Sequence, residues 1–367
     1  MNILFTANEV GSVRAIYPIM QLCNETNIKF SYTKIGFFGT IDCNAWNVFP
    51  LHGSKGCSGI KEQLIKKEIT VVIFSVNMVD TLPLKIAREA NNLGIPTIHV
   101  IDSWNGYLSR MKMDHECVFF PNYYVVPDEF AKVDAIRQGI PSDIIMICGQ
   151  PAFEDSLKDY KLNMLDSQKN LLISNGLTLS GKLILFVSEP VRMDFGASIE
   201  DSKYYKGYTE FDVIPMVKDE LSKYSNIETC VLPHPRESEE QLSKLWSQDD
   251  NYKHFKIISS IRGRKLLPFV DGVVGMASTL LYEAWLMNIP VLSIQPGLIE
   301  DNLKMLKMRD GVTFIDKKNN SDKIINTWLK KVSLNSEDSF RLNIIKNRCS
   351  EHMNSSISIL NLARLKN

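Results

Sequence analysis

Residues 271–293 read DGVVGMASTLLYEAWLMNIPVLS, and the order of residue types in that stretch decides the fold. GVVGMAS (272–278) has the composition of a short buried strand. A Ser-Thr pair, Ser278 and Thr279, opens a helix over 279–288, and Pro290 leads into a second strand, PVLSIQP (290–296). Two apolar runs joined by a helix make a parallel βαβ unit, because a parallel pair needs a crossover of that length. In open parallel sheets, ligands bind beyond the carboxyl ends of the strands. The residues just past each strand are therefore the ones to read for function.

The alternation continues in both directions. Around the quoted unit lie strands KLILFVSEP (182–190), IETCVLPHP (227–235) and FKIIS (255–259), with helices expected near 211–224, 238–246 and 301–308. A polar, helix-like stretch at 153–175 separates these from an earlier set. That set has strands at 2–7, 30–38, 70–76, 96–102, 123–128 and 144–149, with helices at 12–25, 59–68 and 82–94. From about Asn319 onward the pattern is helical. The expectation is a doubly wound α/β protein. Its domains are expected at 1–165 and 166–330, with helices at 331–367 packing back on the first domain.

Bulk composition excludes several classes. A chain of 367 residues suits two domains of about 150 to 200 residues each. Lys plus Arg equals Asp plus Glu, 42 each, so no global field favours nucleic acid. Seven cysteines without CxxC or zinc-ligand spacing read as reduced thiols of a cytoplasmic protein. No secretory leader is expected ahead of the first strand, and no apolar run approaches the roughly 20 residues that span a bilayer. Membrane association is expected to be at most peripheral, at the inner face.

In the second half the strand ends deliver Ser188, Glu189 and Arg192, then His234, Pro235 and Arg236, then Ser278 and Thr279, and finally Gln295. Hydroxyls beside guanidinium groups suit phosphate and ribose oxygens. A helix opened by Ser278 or Thr279 presents N–H groups and the positive end of its dipole to an anion, although the same pair also serves as an ordinary cap. Glu283, one turn on from Thr279, is placed to accept from ribose hydroxyls or to lie exposed. His234, with Pro235 fixing the backbone beside it, can meet a departing phosphate oxygen.

The first half offers the loop TANEVGSVRA (6–15), with Glu9 as a general-base candidate and Gly11, Ser12 and Arg14 as candidate substrate contacts. The loop has no GxGxxG, so a dinucleotide fingerprint is unsupported. Gly11 lets a substrate approach the backbone closely. A second segment, HVIDSWNGYLSRM (99–111), carries His99, Asp102, Trp104, Asn105, Tyr107 and Arg110. Asp102 is the other base candidate. Trp104, Asn105 and Tyr107 read as a sugar-binding wall or as domain packing. Asp80 is an additional acid in VNMVD. No Asp-x-Asp stands at a strand end, so no metal is expected.

With these residues in place, the chain resembles the GT-B glycosyltransferase superfamily along nearly its whole length. GIPTIHVID, YYVVPDEFAKVDAIRQGIPSDIIMICGQPAFE and LYEAWLMNIPVLSIQPG look like segments of such enzymes. The resemblance implies two Rossmann-like domains facing across a cleft, acceptor on the first and nucleotide sugar on the second. His234-Pro235 followed by Ser278-Thr279 is similar to the motifs of bacterial sialyltransferases and Kdo transferases. That similarity implies a CMP-activated sugar acid as donor, no cofactor, and a bacterial surface glycan or glycoprotein as acceptor. Under it, His234 contacts the leaving phosphate and Ser278 and Thr279 hold it. The acid pair before a Gly that those families carry is represented only by Glu9 of NEVG. The alternative resemblance is to UDP-N-acetylglucosamine 2-epimerases, or to UDP-sugar transferases of the same fold. The epimerases carry an SGG…EE run where this chain has MASTLLYEA. A carbohydrate-binding scaffold is a third class, and the oligomeric state is left open.

Overall fold

The computed structural model describes residues 1–41, 46–51, 59–76, 81–113, 117–163, 166–248, 253–299, 305–333 and 338–365. Asp80 lies outside them. The chain divides into two compact units, Met1–Asp155 with Cys349–Asn367, and Ser156–Arg348. The sequence reading places its boundaries at 165 and 330 instead, so residues 156–165 and 331–348 fall in the second unit.

The first unit runs β1 (Asn2–Thr6), α1 (Val10–Glu25), β2 (Lys29–Thr33), β3 (Asn47–Phe49), α2 (Ile60–Lys66), β4 (Val71–Phe74), α3 (Leu82–Asn92), β5 (Thr97–Val100), β6 (Tyr123–Val126), α4 (Glu129–Arg137) and β7 (Ile145–Ile147). Its strands form one sheet in the order β3-β2-β1-β4-β5-β6-β7, with every pair parallel. The second strand is shorter than the 30–38 expected. Gly36, at φ +47°, turns the chain into a 3-10 segment at Gly36–Thr40, a backbone state that favours glycine.

The second unit runs α5 (Ser156–Asn163), α6 (Asp166–Ser174), β8 (Lys182–Val187), α7 (Val191–Phe195), α8 (Glu210–Leu221), β9 (Ile227–Leu232), α9 (Glu239–Ser247), β10 (Phe255–Ile257), α10 (Gly263–Leu266), β11 (Gly272–Gly275), α11 (Thr279–Leu286), β12 (Val291–Ile294), β13 (Thr313–Ile315), α12 (Ser321–Ser333) and α13 (Asp338–Ser350). The last helix of the chain, α14 (Ser355–Arg364), belongs to the first unit. The second sheet is also parallel, in the order β10-β9-β8-β11-β12-β13. Counted within this unit, that is the 3-2-1-4-5-6 order of dinucleotide-binding folds, and the strand order reverses between β8 and β11.

Each sheet is covered by helices and has its own core. In the first, α14 brings Ile359, Leu360 and Ala363 against Ile16, Ile19 and Met20 of α1. The contact is fixed at its start by Ser356, whose Oγ (2.5 Å) and N–H (3.2 Å) donate to Glu154 Oε2. In the second core, Trp246 packs edge-on against Phe186 at 5.1 Å, and Trp328 is buried with it. Burying each such side chain contributes on the order of 1.5–3 kcal/mol. Among the described residues, no helix is long and apolar enough to cross a membrane.

Candidate functional site

In the second unit the switch point between β8 and β11 gathers most of the polar residues expected from the sequence. Past β9, the His234 N–H donates to Glu237 Oε2 at 2.7 Å, and the Ser188 Oγ past β8 donates to Glu237 Oε1 at 2.7 Å. One carboxylate thus ties the two loops together. Burial raises its pKa, and the two hydrogen bonds oppose that rise. Glu237 was not among the residues singled out from the sequence. Its place three residues after the histidine, where a side chain can turn back onto that N–H, is the signal that marks it.

His234 is partly buried. Its Nδ1 accepts the Arg236 N–H at 3.3 Å, so the proton of the neutral ring sits on Nε2, which is the donor. Burial, with the Arg236 guanidinium second, lowers its pKa from the ordinary imidazole value; Asp194 acts the other way. Pro235 is exposed and holds the turn. The Arg236 guanidinium, expected to meet phosphate, makes a two-pronged pair with Asp194 at 2.5 and 2.6 Å. Nothing in the sequence marked Asp194. Arg192 donates its N–H to Glu210 Oε2 at 2.8 Å and lays its guanidinium over Phe211 at 5.1 Å.

Ser278 is the N-cap of α11, with its Oγ accepting the Leu280 N–H at 3.3 Å; Thr279 is the first helical residue. The turn before the helix already carries an anion, because Glu189 Oε2 accepts the Ala277 N–H at 2.7 Å. Glu283 is not an exposed helix acid. It is 4% exposed and ion-paired with Arg264, which is carried by the short helix α10 that the sequence reading missed. Gln295 is displaced from the donor-binding set, since it is fully buried and its amide is spent internally. Its Oε1 accepts from Tyr208 at 3.2 Å, and its Nε2 donates to Met276 O at 3.3 Å and Ser293 Oγ at 3.1 Å.

In the first unit, the reading of 99–111 as a sugar-binding wall does not hold. Trp104 is 4% exposed, stacks on Phe153 at 6.1 Å and donates its indole N–H at 2.7 Å to Asp128, the N-cap of α4. Tyr107 is fully buried under the same loop, and its carbonyl accepts from Tyr124 at 3.1 Å. His99 is buried between Phe74 and Tyr124, at 5.0 and 4.7 Å. Desolvation, with Arg110 second, holds its pKa well below the ordinary value.

Arg110 turns these side chains inward. The 7%-exposed guanidinium pairs with Asp102 Oδ1 at 2.8 Å and donates to Val76 O (2.8 Å), Ser103 Oγ (2.7 Å), Asn105 O (3.2 Å) and Asn105 Oδ1 (3.4 Å). Asn105 is thereby bound into the clamp. Asp102 Oδ2 accepts from Ser12 at 3.2 Å, and a Cβ on Gly11 would lie 2.8 Å from that oxygen. The group that Gly11 admits to the backbone is therefore Asp102. Glu9 caps α1 through its backbone alone and stays exposed, and Arg14 is partly buried on the same helix.

No family model matches the chain, and no curated protein does. Solved structures match it end to end. The UDP-GlcNAc 2-epimerase of Methanocaldococcus jannaschii aligns over 100% of both chains at 16% identity, TM-score 0.65. The enzyme of that name from Neisseria meningitidis, solved with UDP-GlcNAc, aligns over 100% of both at 14% identity, TM-score 0.66. Anabaena HepE, solved with UDP and glucose, covers 99% of both at 12% identity, TM-score 0.63. The chain has the GT-B fold. At such identities the likeness carries the architecture, two Rossmann-like α/β units, and the chemistry is argued from the residues.

Proposed function

We propose that this chain binds a UDP-linked N-acetylhexosamine on its second unit and inverts the sugar at C2, as a 2-epimerase. The observation that carries the reading is the set of polar groups past neighbouring strands: a neutral imidazole with its proton on Nε2 past β9, tied through Glu237 to the loop past β8, and a hydroxyl-capped helix past β11, on a fold whose neighbours hold UDP and UDP-GlcNAc. A hydrogen on C2, beside an acetal carbon, is not acidic. Inversion there proceeds by elimination and re-addition: the C1–O bond breaks as UDP departs with its electron pair, the C2 proton passes to a base and C1=C2 forms, then a proton returns to the opposite face of C2 as the β-phosphate oxygen rebonds to C1; charge grows on that oxygen as it leaves. His234 Nε2–H is the donor for that oxygen. Glu283, held by Arg264, is the acceptor for the ribose hydroxyls. Of the two base candidates, both on the first unit, Asp102 has its oxygens engaged by Arg110 and Ser12, and Glu9 is exposed at the start of α1. The CMP-linked sugar acid implied by the His-Pro motif gives way to a uridine nucleotide.

A second reading, transfer of the sugar from UDP to an acceptor hydroxyl, is favoured by one feature. MASTLLYEA has Tyr282 where the epimerase pattern has a second acid, and no glycine pair. Incubation with UDP-GlcNAc alone, followed by proton NMR, separates the two. Appearance of the C2 epimer without acceptor, and in excess chelator, is the expected result. UDP release only when an acceptor is supplied assigns a transferase. Binding of CMP and not UDP refutes both.

A further inference from the structure

Glu189 stands at the reversal point of the second sheet, just past β8, and bonds across it to the residues just past β11. Its carboxylate receives the Ala277 N–H at 2.7 Å, and the Met276 and Ser278 N–H groups add to its stabilisation. Desolvation still outweighs these and raises its pKa from the ordinary carboxylate value. The charged side chains bearing on it are Lys206, from the loop before α8, which favours its ionised form, and Glu237, with which it repels. Tyr208, bonded to Gln295, lies behind it. An Ala, Ser or Gly in its place would leave the turn's N–H groups to an external anion, as in glycine-rich phosphate loops. Here the chain supplies that anion itself, where ligands of this topology bind.

From this geometry we infer that Glu189 is a specificity-determining residue that competes with the donor's diphosphate and takes up one proton from solvent when the nucleotide sugar binds. The inference rests on the proposed placement of the nucleotide at the switch point. A diphosphate diester brought to the start of α11 adds like charge beside a partly desolvated carboxylate, which disfavours ionisation of that carboxylate. Protonation of Glu189 is easier in the complex than in the free chain, so affinity rises as pH falls through the pKa of the complex and levels off below that of the free chain. In Glu189→Gln the amide oxygen can still accept the Ala277 N–H, so the turn keeps its bond and loses the charge. A purely structural Glu189 predicts weaker binding for this variant; a competing one predicts tighter binding.

The test is titration calorimetry of the full chain with UDP-GlcNAc, whose diphosphate has no group titrating between about pH 6 and pH 8, in two buffers of different ionisation enthalpy. The native chain is expected to gain up to about tenfold in affinity per pH unit lost, with proton uptake. Glu189→Gln is expected to bind about tenfold tighter at the alkaline end, with the uptake gone. His234→Gln and Glu237→Gln separate two other nearby titrating groups, and both variants are expected to keep the uptake. Weaker binding by Glu189→Gln, or uptake that persists in it and vanishes in His234→Gln or Glu237→Gln, overturns the inference. Absence of binding by the native chain and Glu189→Gln alike overturns the proposed placement of the nucleotide, and this inference with it.

Discussion

Replacing His234 by Ala lowers turnover of the UDP-sugar by about 100- to 1000-fold, the range lost when a single donor to a developing oxyanion is removed. The imidazole is committed to the fold through one acceptor bond at Nδ1, to the Arg236 N–H of its own turn. The backbone N–H that anchors the turn to Glu237 survives the substitution. The thermal midpoint should therefore stay close to that of the native chain while turnover collapses. His234→Gln restores part of the loss, because its amide can donate where Nε2–H did. Unchanged turnover in His234→Ala removes the imidazole from the chemistry.

Arg110→Ala has the largest expected effect on stability, about 3–5 kcal/mol, because it strands Asp102 as a buried charge at the start of α1. Ser103, Asn105 and the Val76 carbonyl lose their donor at the same time. Denaturant unfolding followed by circular dichroism reads the loss. Pairing Arg110→Met with Asp102→Asn should recover part of it, since removing both charges of a buried pair is far less costly than removing one. A loss below about 1 kcal/mol for Arg110→Ala would mean that the guanidinium is solvated and the clamp is not formed.

Strand and helix alternation was legible along the whole chain because buried parallel strands are continuous apolar runs with punctuated ends. It failed mostly where the elements are too short to show a period, and also at the nine-residue α4. β3 and β13 have three residues each, and α10 has four. On the second unit, His234, Ser278 and Thr279 stand where the strand ends place them. The partners Glu237 of His234, Asp194 of Arg236 and Arg264 of Glu283 were missed, because a carboxylate's or guanidinium's role depends on which loop it meets and the sequence does not order loops in space. The aromatic segment 99–111 was misread for a related reason. Aromatic, amide and acid side chains compose a sugar wall or a packed loop equally well, and Arg110, only noted in passing, determines which way they point. Gln295 shows the converse: a polar residue at a strand end whose bonds are all satisfied inside the sheet.

The proposed chemistry requires a uridine nucleotide seated at the β8–β11 reversal of the second unit. A crystal structure of the chain with UDP bound measures this directly. The β-phosphate is expected within hydrogen-bonding distance of His234 Nε2, with the ribose against Glu283. A nucleotide seated on the first unit, or with its phosphates remote from both His234 and α11, would contradict it.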